Sequence, residues 1–229
     1  MESINPQGLA DSHTHLWMND GDIDNKAVTD HTGFQLLRKI LSDFKRSGGS
    51  FIVDCTPYGC GRDANVLLYL SKLSGIKIIS VTGFHKRKYY LNDFSIWDMD
   101  RKQATRFFLD EIQDKLREAK DPTIKAGAIK AAFTGTLEGQ YLVLSLAAVE
   151  ASKESGLPLI VHTEKGSNTE KLISLLKKEK MDFSRVLLCH MDKNNDKDLH
   201  SDLIDQGIFL EYDTFLRPKY DPEVNVFPL

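Results

Sequence analysis

Two histidines stand one residue apart in Asp11-Ser12-His13-Thr14-His15. Side chains alternate along a strand, so if a strand runs into this segment, His13 and His15 leave the same face and can close on one metal ion. Two more histidines end apolar runs of their own: His162 closes Pro158-Leu159-Ile160-Val161, and His190 closes Val186-Leu187-Leu188-Cys189. In a parallel barrel the C-terminal strand ends meet at one rim, and active sites sit there. Four of the seven histidines then converge, whereas His31, His85 and His200 have no such joint placement.

Lys130 lies inside the apolar run 126–132, where desolvation is expected to depress the pKa of its ammonium. A buried neutral amine is nucleophilic. It can add carbon dioxide, and the carbamate formed is a carboxylate-like ligand able to bridge two metal ions. The competing reading is a lysine that snorkels its head to solvent.

The elements that must position these groups are legible as short apolar runs alternating with amphipathic stretches, the pattern of βα units on a parallel sheet. Strands are predicted for Gly8 to His13, Ser50 to Cys55, Ile76 to Thr82, Ala126 to Ala132, Leu157 to His162, Arg185 to His190 and Gly207 to Tyr212. Helices are predicted for Gly33 to Ser47, Arg62 to Leu73, Arg101 to Glu118, Leu137 to Ser155, Asn168 to Lys180 and Asp196 to Gln206. The first strand runs into His-Thr-His rather than a glycine-rich phosphate turn, which favours a (β/α)8 TIM barrel over an open doubly wound sheet. Such a barrel needs eight strands and typically ~250 residues. About seven strands precede Leu229, so the C-terminal strand is expected to be missing from this chain.

With 229 residues, 41% hydrophobic and 28% charged, the chain suits a single domain spanning 1–229. A net charge of -3 offers no general field for nucleic acid or an anionic membrane. No signal peptide or membrane-spanning run is evident, so a cytoplasmic location is expected. Cys55, Cys60 and Cys189 are odd in number and read as free thiols.

The ordered set Asp-Ser-His-Thr-His, the Lys130 run, Leu-Ile-Val-His-Thr and Val-Leu-Leu-Cys-His-Met-Asp resembles the phosphotriesterase-like branch of the amidohydrolase superfamily, which includes phosphotriesterases and lactonases. The resemblance covers nearly the whole chain. It implies that His13, His15, Lys130, His162 and His190 hold two divalent ions, with zinc as the first expectation, and that Lys130 is a carboxylated bridging ligand. It also implies a homodimer and a metal-bridging hydroxide that attacks a carbonyl or phosphoryl centre. The family's last ligand, an aspartate on the eighth strand, has no match, and Asp213 belongs to the predicted seventh strand.

Substrate choice is expected from the loops after the strands. Lys86 follows the third strand, and Arg217, Lys219 and Tyr220 follow the seventh. Cations at a metal rim in a slightly acidic protein point to an anionic group on a small-molecule substrate, such as the phosphate of a sugar lactone phosphate. Trp17, Phe84, Tyr89 and Tyr90 are candidates for a pocket wall, and Glu164 and Lys165 for orienting ligands. The alternatives are an organophosphate triesterase, a cyclic-amide hydrolase with the same ligands, and a non-catalytic metal-binding homologue if the chain truly ends at Leu229. Lys130 argues against a deaminase.

Overall fold

The apolar runs become strands. A computed structural model describes residues 8–18, 31–91 and 94–214, and there the runs form β1 (Leu9–Thr14), β2 (Gly49–Asp54), β3 (Lys77–Gly83), β4 (Ala128–Phe133), β5 (Leu159–Thr163), β6 (Val186–Cys189) and β7 (Phe209–Leu210). Among the described residues one α-helix separates each strand from the next: α1 (His31–Arg46), α2 (Ala64–Ser74), α3 (Arg101–Gln113), α4 (Gly139–Ser155), α5 (Thr169–Lys178) and α6 (Lys197–Asp205). Every neighbouring pair of strands is parallel, and spatial order equals chain order. An order without a reversal has no switch point, so successive right-handed crossovers place the helices on one side and curl the sheet. The result is a partial barrel of seven strands, with β1 and β7 at its two ends.

Local chemistry sets the helix starts. Asp63 accepts hydrogen bonds from the N–H groups of Asn65 and Val66, Asp196 accepts from Leu199, and Asp100 forms a capping box with Gln103. Helix α3 stops at Gln113, five residues short of the predicted Glu118, for a reason that lies far away in sequence. Fully buried Arg62 pairs with Glu111 Oε1 at 2.6 Å and with Glu118 Oε1 at 2.6 Å, so the chain must leave the helix to bring Glu118 back over the start of α2. Glu111 also accepts from Thr82 Oγ1 at 2.8 Å, which ties α3 to β3.

Period-two alternation divides the sheet into two faces. Ile129, Ala131, Val161 and Leu188 pack outward into a core with Phe108, Leu144 and Ala148 from the helices. Cys55, Val81, Ala128, Ile160 and Cys189 form a smaller cluster on the inner face. Lys130 and His162 stand two residues beyond Ala128 and Ile160, so they share that inner face and lie one step nearer the C-terminal rim. Gly83 sits beside them with φ 103°, and a Cβ there would lie 1.9 Å from the carbonyl oxygen of Lys130. Only glycine lets β3 pass β4 so closely. Among the described residues, no helix is long and apolar enough to cross a membrane.

Candidate metal centre

Four strand ends deliver nitrogen donors to one place. The rings of His13 and His190 have centroids 5.1 Å apart, His13 and His15 are 5.6 Å apart, and His162 and His190 are 4.7 Å apart. Lys130 Nζ lies 3.2 Å from His13 Nε2, and His162 Nδ1 lies 2.9 Å from His190 Nε2. Sequence reasoning named these five residues, and the structure brings all of them together. Arg217, Lys219 and Tyr220 lie outside the described residues.

Three further groups belong to the cluster and were not anticipated. Glu211 and Asp213, one and three residues beyond β7, reach across to β1: His13 Nδ1 is 2.9 Å from Glu211 Oε2 and 3.1 Å from Asp213 Oδ2. Ser12 also donates to Glu211. Asp213 Oδ1 lies 2.8 Å from His190 Nδ1. Asp213, placed by sequence in the seventh strand and not matched to the family's eighth-strand aspartate, lies three residues beyond the two-residue β7. His85 is the third. Read as unplaced, it is buried against the site, with its ring stacked 5.9 Å from His15 and edge-on 5.0 Å from His162.

The aromatic candidates divide. Phe84 is wholly buried against Trp97 and Tyr141, and Trp17 packs on Phe34 beside α1, so both are core rather than pocket wall. Tyr90 is buried, and its hydroxyl accepts the N–H of His85 at 3.0 Å. Tyr89 alone faces the cluster, 4.7 Å from the His85 ring. Lys86 Nζ pairs with Glu164 Oε2 at 3.0 Å, and that same oxygen is 3.4 Å from His162 Nε2, which sets a cation at the rim one carboxylate away from a donor histidine. Lys165 occupies a left-handed turn next to it.

Burial keeps His162 in the neutral form a metal requires. Burial, together with the positive charges of Lys86 and Lys130, pushes the His162 pKa down to about 2, and burial holds His85 well below its usual value. Burial works against the charge on Asp213, but hydrogen bonds from His13 and His190 outweigh it and hold the carboxyl below the usual range.

Lys130 departs from expectation. Desolvation does oppose its charge, but Cys189, Cys55 and Glu211 pull the other way, and the net direction is upward. Both thiols are themselves pushed up by burial, Cys55 to about 12, so near neutral pH they stay uncharged and the acid beside Lys130 is Glu211. Burial alone therefore does not free the amine.

The donor set fits divalent metal ions. Donors at ~2.0 Å in a tetrahedron stand ~3.3 Å apart, close to the 2.9 Å between His162 Nδ1 and His190 Nε2. Donor atoms of His13, His190 and Asp213 also fall within 4.8 Å of one another, as do those of His13, Cys189 and Glu211.

A curled parallel sheet with such a cluster at its C-terminal rim defines a barrel hydrolase. The chain belongs to the Phosphotriesterase family, matched over residues 3–226, whose members bind divalent metals. It is 24% identical over 226 residues to the phosphotriesterase homology protein of Escherichia coli, covering 96% of this chain and 75% of that one. The crystal structure of that protein, complexed with phosphate in its active site, superposes with a TM-score of 0.84 at 21% identity, over 95% of this chain and 74% of that one. A phospho-furanose lactonase of Mycoplasmopsis synoviae is 30% identical over 238 residues, covering 94% of this chain and 65% of the relative. The crystal structure of a lactonase from Listeria monocytogenes gives a TM-score of 0.83 at 26% identity, over 94% of this chain and 70% of that one. The chain thus spans about two thirds to three quarters of the length of these relatives.

Proposed function

We propose that this protein is a binuclear metal-dependent lactonase that opens small lactones carrying a phosphate, such as sugar lactone phosphates. The observation that carries the reading is the convergence of His13, His15, Lys130, His162 and His190 on the inner rim of the sheet, with the Lys86 cation beside them. The lactonase relatives support the substrate class, and the phosphate held by the E. coli protein supports an anionic ligand.

Bound divalent ions, zinc being the first candidate, would supply a Lewis acid for the ester carbonyl and acidify water near neutral pH. Lys130, as a carbamate, would contribute a shared anionic ligand. His13 and His15 would serve one ion, and His162 and His190 the other. Lys86 would exchange Glu164 for the substrate phosphate and fix the lactone ring at the rim. Asp213, in contact with both half-sites, would hold the His13 and His190 rings in place for the ions. The free, buried thiols of Cys55, Cys60 and Cys189 suit a reducing compartment such as the cytosol.

The test is metal content measured alongside hydrolysis of lactones, lactone phosphates and an activated phosphotriester. About two metals per chain, preference for lactone phosphates, and loss of both metal and turnover in Lys130→Ala are expected. A protein that binds no metal, or that turns over only the triester, would sink the reading.

A further inference from the structure

Among the described residues, Asp213 is the acid that touches both halves of the histidine cluster. Its Oδ2 lies 3.1 Å from Nδ1 of His13, at the end of β1, and its Oδ1 lies 2.8 Å from Nδ1 of His190, after β6. The opposite nitrogens of the same rings face the other donors: His13 Nε2 meets Lys130 Nζ at 3.2 Å, and His190 Nε2 meets His162 Nδ1 at 2.9 Å. A carboxylate has acceptors only, so the Nδ1 that it contacts on each ring must carry the ring proton and leave Nε2 to accept. A carboxylate at each Nδ1 imposes the same tautomer on both rings.

The carboxylate is itself held. The Asp213 N–H donates to Asp192 Oδ1 at 3.3 Å, and the Thr214 hydroxyl donates to the other oxygen of Asp192. Asp192 is buried two residues after His190. Upstream, Met191 donates its N–H to the Glu211 carbonyl at 3.0 Å, and Glu211 donates to the Leu188 carbonyl at 2.8 Å. The segment carrying His190 and the segment carrying Asp213 therefore form one hydrogen-bonded unit, which sets the second ring's orientation and passes it to the first.

We propose that Asp213 is a shared positioning residue: one carboxylate that fixes the tautomer of His13 and of His190 together, so that both present Nε2 to their metal ions. The proposal rests on the metal-centre reading above but makes a claim about the protein without metal. A ligand histidine whose second nitrogen is held by a carboxylate is oriented and made more basic, and loss of such a partner typically costs 10- to 100-fold in metal affinity. Here one side chain does this for two half-sites.

The experiment is 15N NMR of histidine-labelled protein, first without metal and then with zinc. In the metal-free wild type, His13 and His190 are expected to carry their proton on Nδ1, and to keep it there when zinc binds at Nε2. Asp213→Asn keeps the shape but accepts at one atom only. His13 retains Glu211 as an acceptor, so His190 is the ring expected to switch its proton to Nε2, and zinc affinity at one of the two sites should fall ~10- to 100-fold. Asp213→Glu restores two acceptor oxygens and should restore the His190 tautomer. Unchanged tautomers in Asp213→Asn, or coordination through Nδ1 in the wild type, would overturn the proposal even if the protein binds two zinc ions. A wild type that binds no zinc would end the metal-centre reading, while the metal-free spectra still decide what Asp213 does. Should Asp213→Asn fail to fold, Asp192→Asn, which loosens the backbone clamp alone, is expected to broaden the His190 ring signals and leave those of His162 sharp; no change there would equally count against the proposal.

Discussion

His15 and Thr56 meet through a 2.8 Å contact between Nδ1 and Oγ1, and the Thr56 side chain is in turn bonded to the carboxyl of buried Asp54. Asp54 also accepts the backbone N–H groups of Leu16 at 2.8 Å and Thr56 at 2.9 Å, so one side chain sets the exits of both β1 and β2. Thr56→Val should leave the fold intact but remove the group that orients His15. Metal affinity is expected to fall ~10-fold or more, with Thr56→Ser close to wild type. Chelator competition measures it, and equal affinity in the valine variant would show that His15 is oriented by packing alone.

Asp54 makes a pH prediction. Burial raises its pKa from 3.8 to about 6 in the folded chain. The folded state therefore holds a proton that the unfolded state releases, and the stability linked to it is present in full below pH 3.8 and lost as pH rises through about 6. The contribution is on the order of 3 kcal/mol. Asp54→Asn does not titrate, so urea unfolding should show the variant gaining on the wild type between about pH 4 and 6, with the difference levelling off above that. A stability difference that is flat across that interval would contradict the assignment.

Lys86 tests substrate choice. It lies 3.0 Å from Glu164 and is mostly buried, so replacing it with methionine keeps much of the stem's packing while removing the charge. The KM for a lactone phosphate should rise ~10-fold, equivalent to ~1.4 kcal/mol, while that for the unphosphorylated lactone stays the same. Parallel changes in both would place Lys86 outside phosphate recognition.

Arg62, Glu111 and Glu118 test the frame. Removing one partner of a buried pair leaves the other charge without compensation, at a cost of ~3–5 kcal/mol. Arg62→Met should lose that much in chemical denaturation, whereas Arg101→Met, whose pairs with Glu150 and Glu179 are half-exposed, should lose under ~1 kcal/mol. Similar losses in the two variants would argue against a special role for the buried network.

The strand-end histidines could be read from sequence because two local rules act together: alternation puts His13 and His15 on one face, and parallel strands bring His162 and His190 to one rim. His85 was open to the same logic, since it lies two residues past the end of β3, but that strand ends on Gly83, and Phe84 follows, so the strand end is disguised. Asp213 and Glu211 repeat the two-residue spacing of His13 and His15, yet β7 is so short that no alternation announces it. The end of α3 was not legible, because it is set by Arg62, whose partners lie 49 and 56 residues away. Nor was the surrounding of Lys130, because its thiol and carboxylate neighbours arrive from other strands.

β1 and β7 end the sheet, and among the described residues the bonds that cross from one to the other are those of Ser12 and His13 with Glu211 and Asp213. The histidine and carboxylate cluster is thus also a clasp across the open side of the wall. Chemistry and architecture share the same few atoms, so a cation that draws His13 and His190 together would tighten the seam as it readies the site. Binding to the folded form alone raises apparent stability with ligand concentration, and here the increment would be felt at the edge strands, where an open sheet is most vulnerable to fraying.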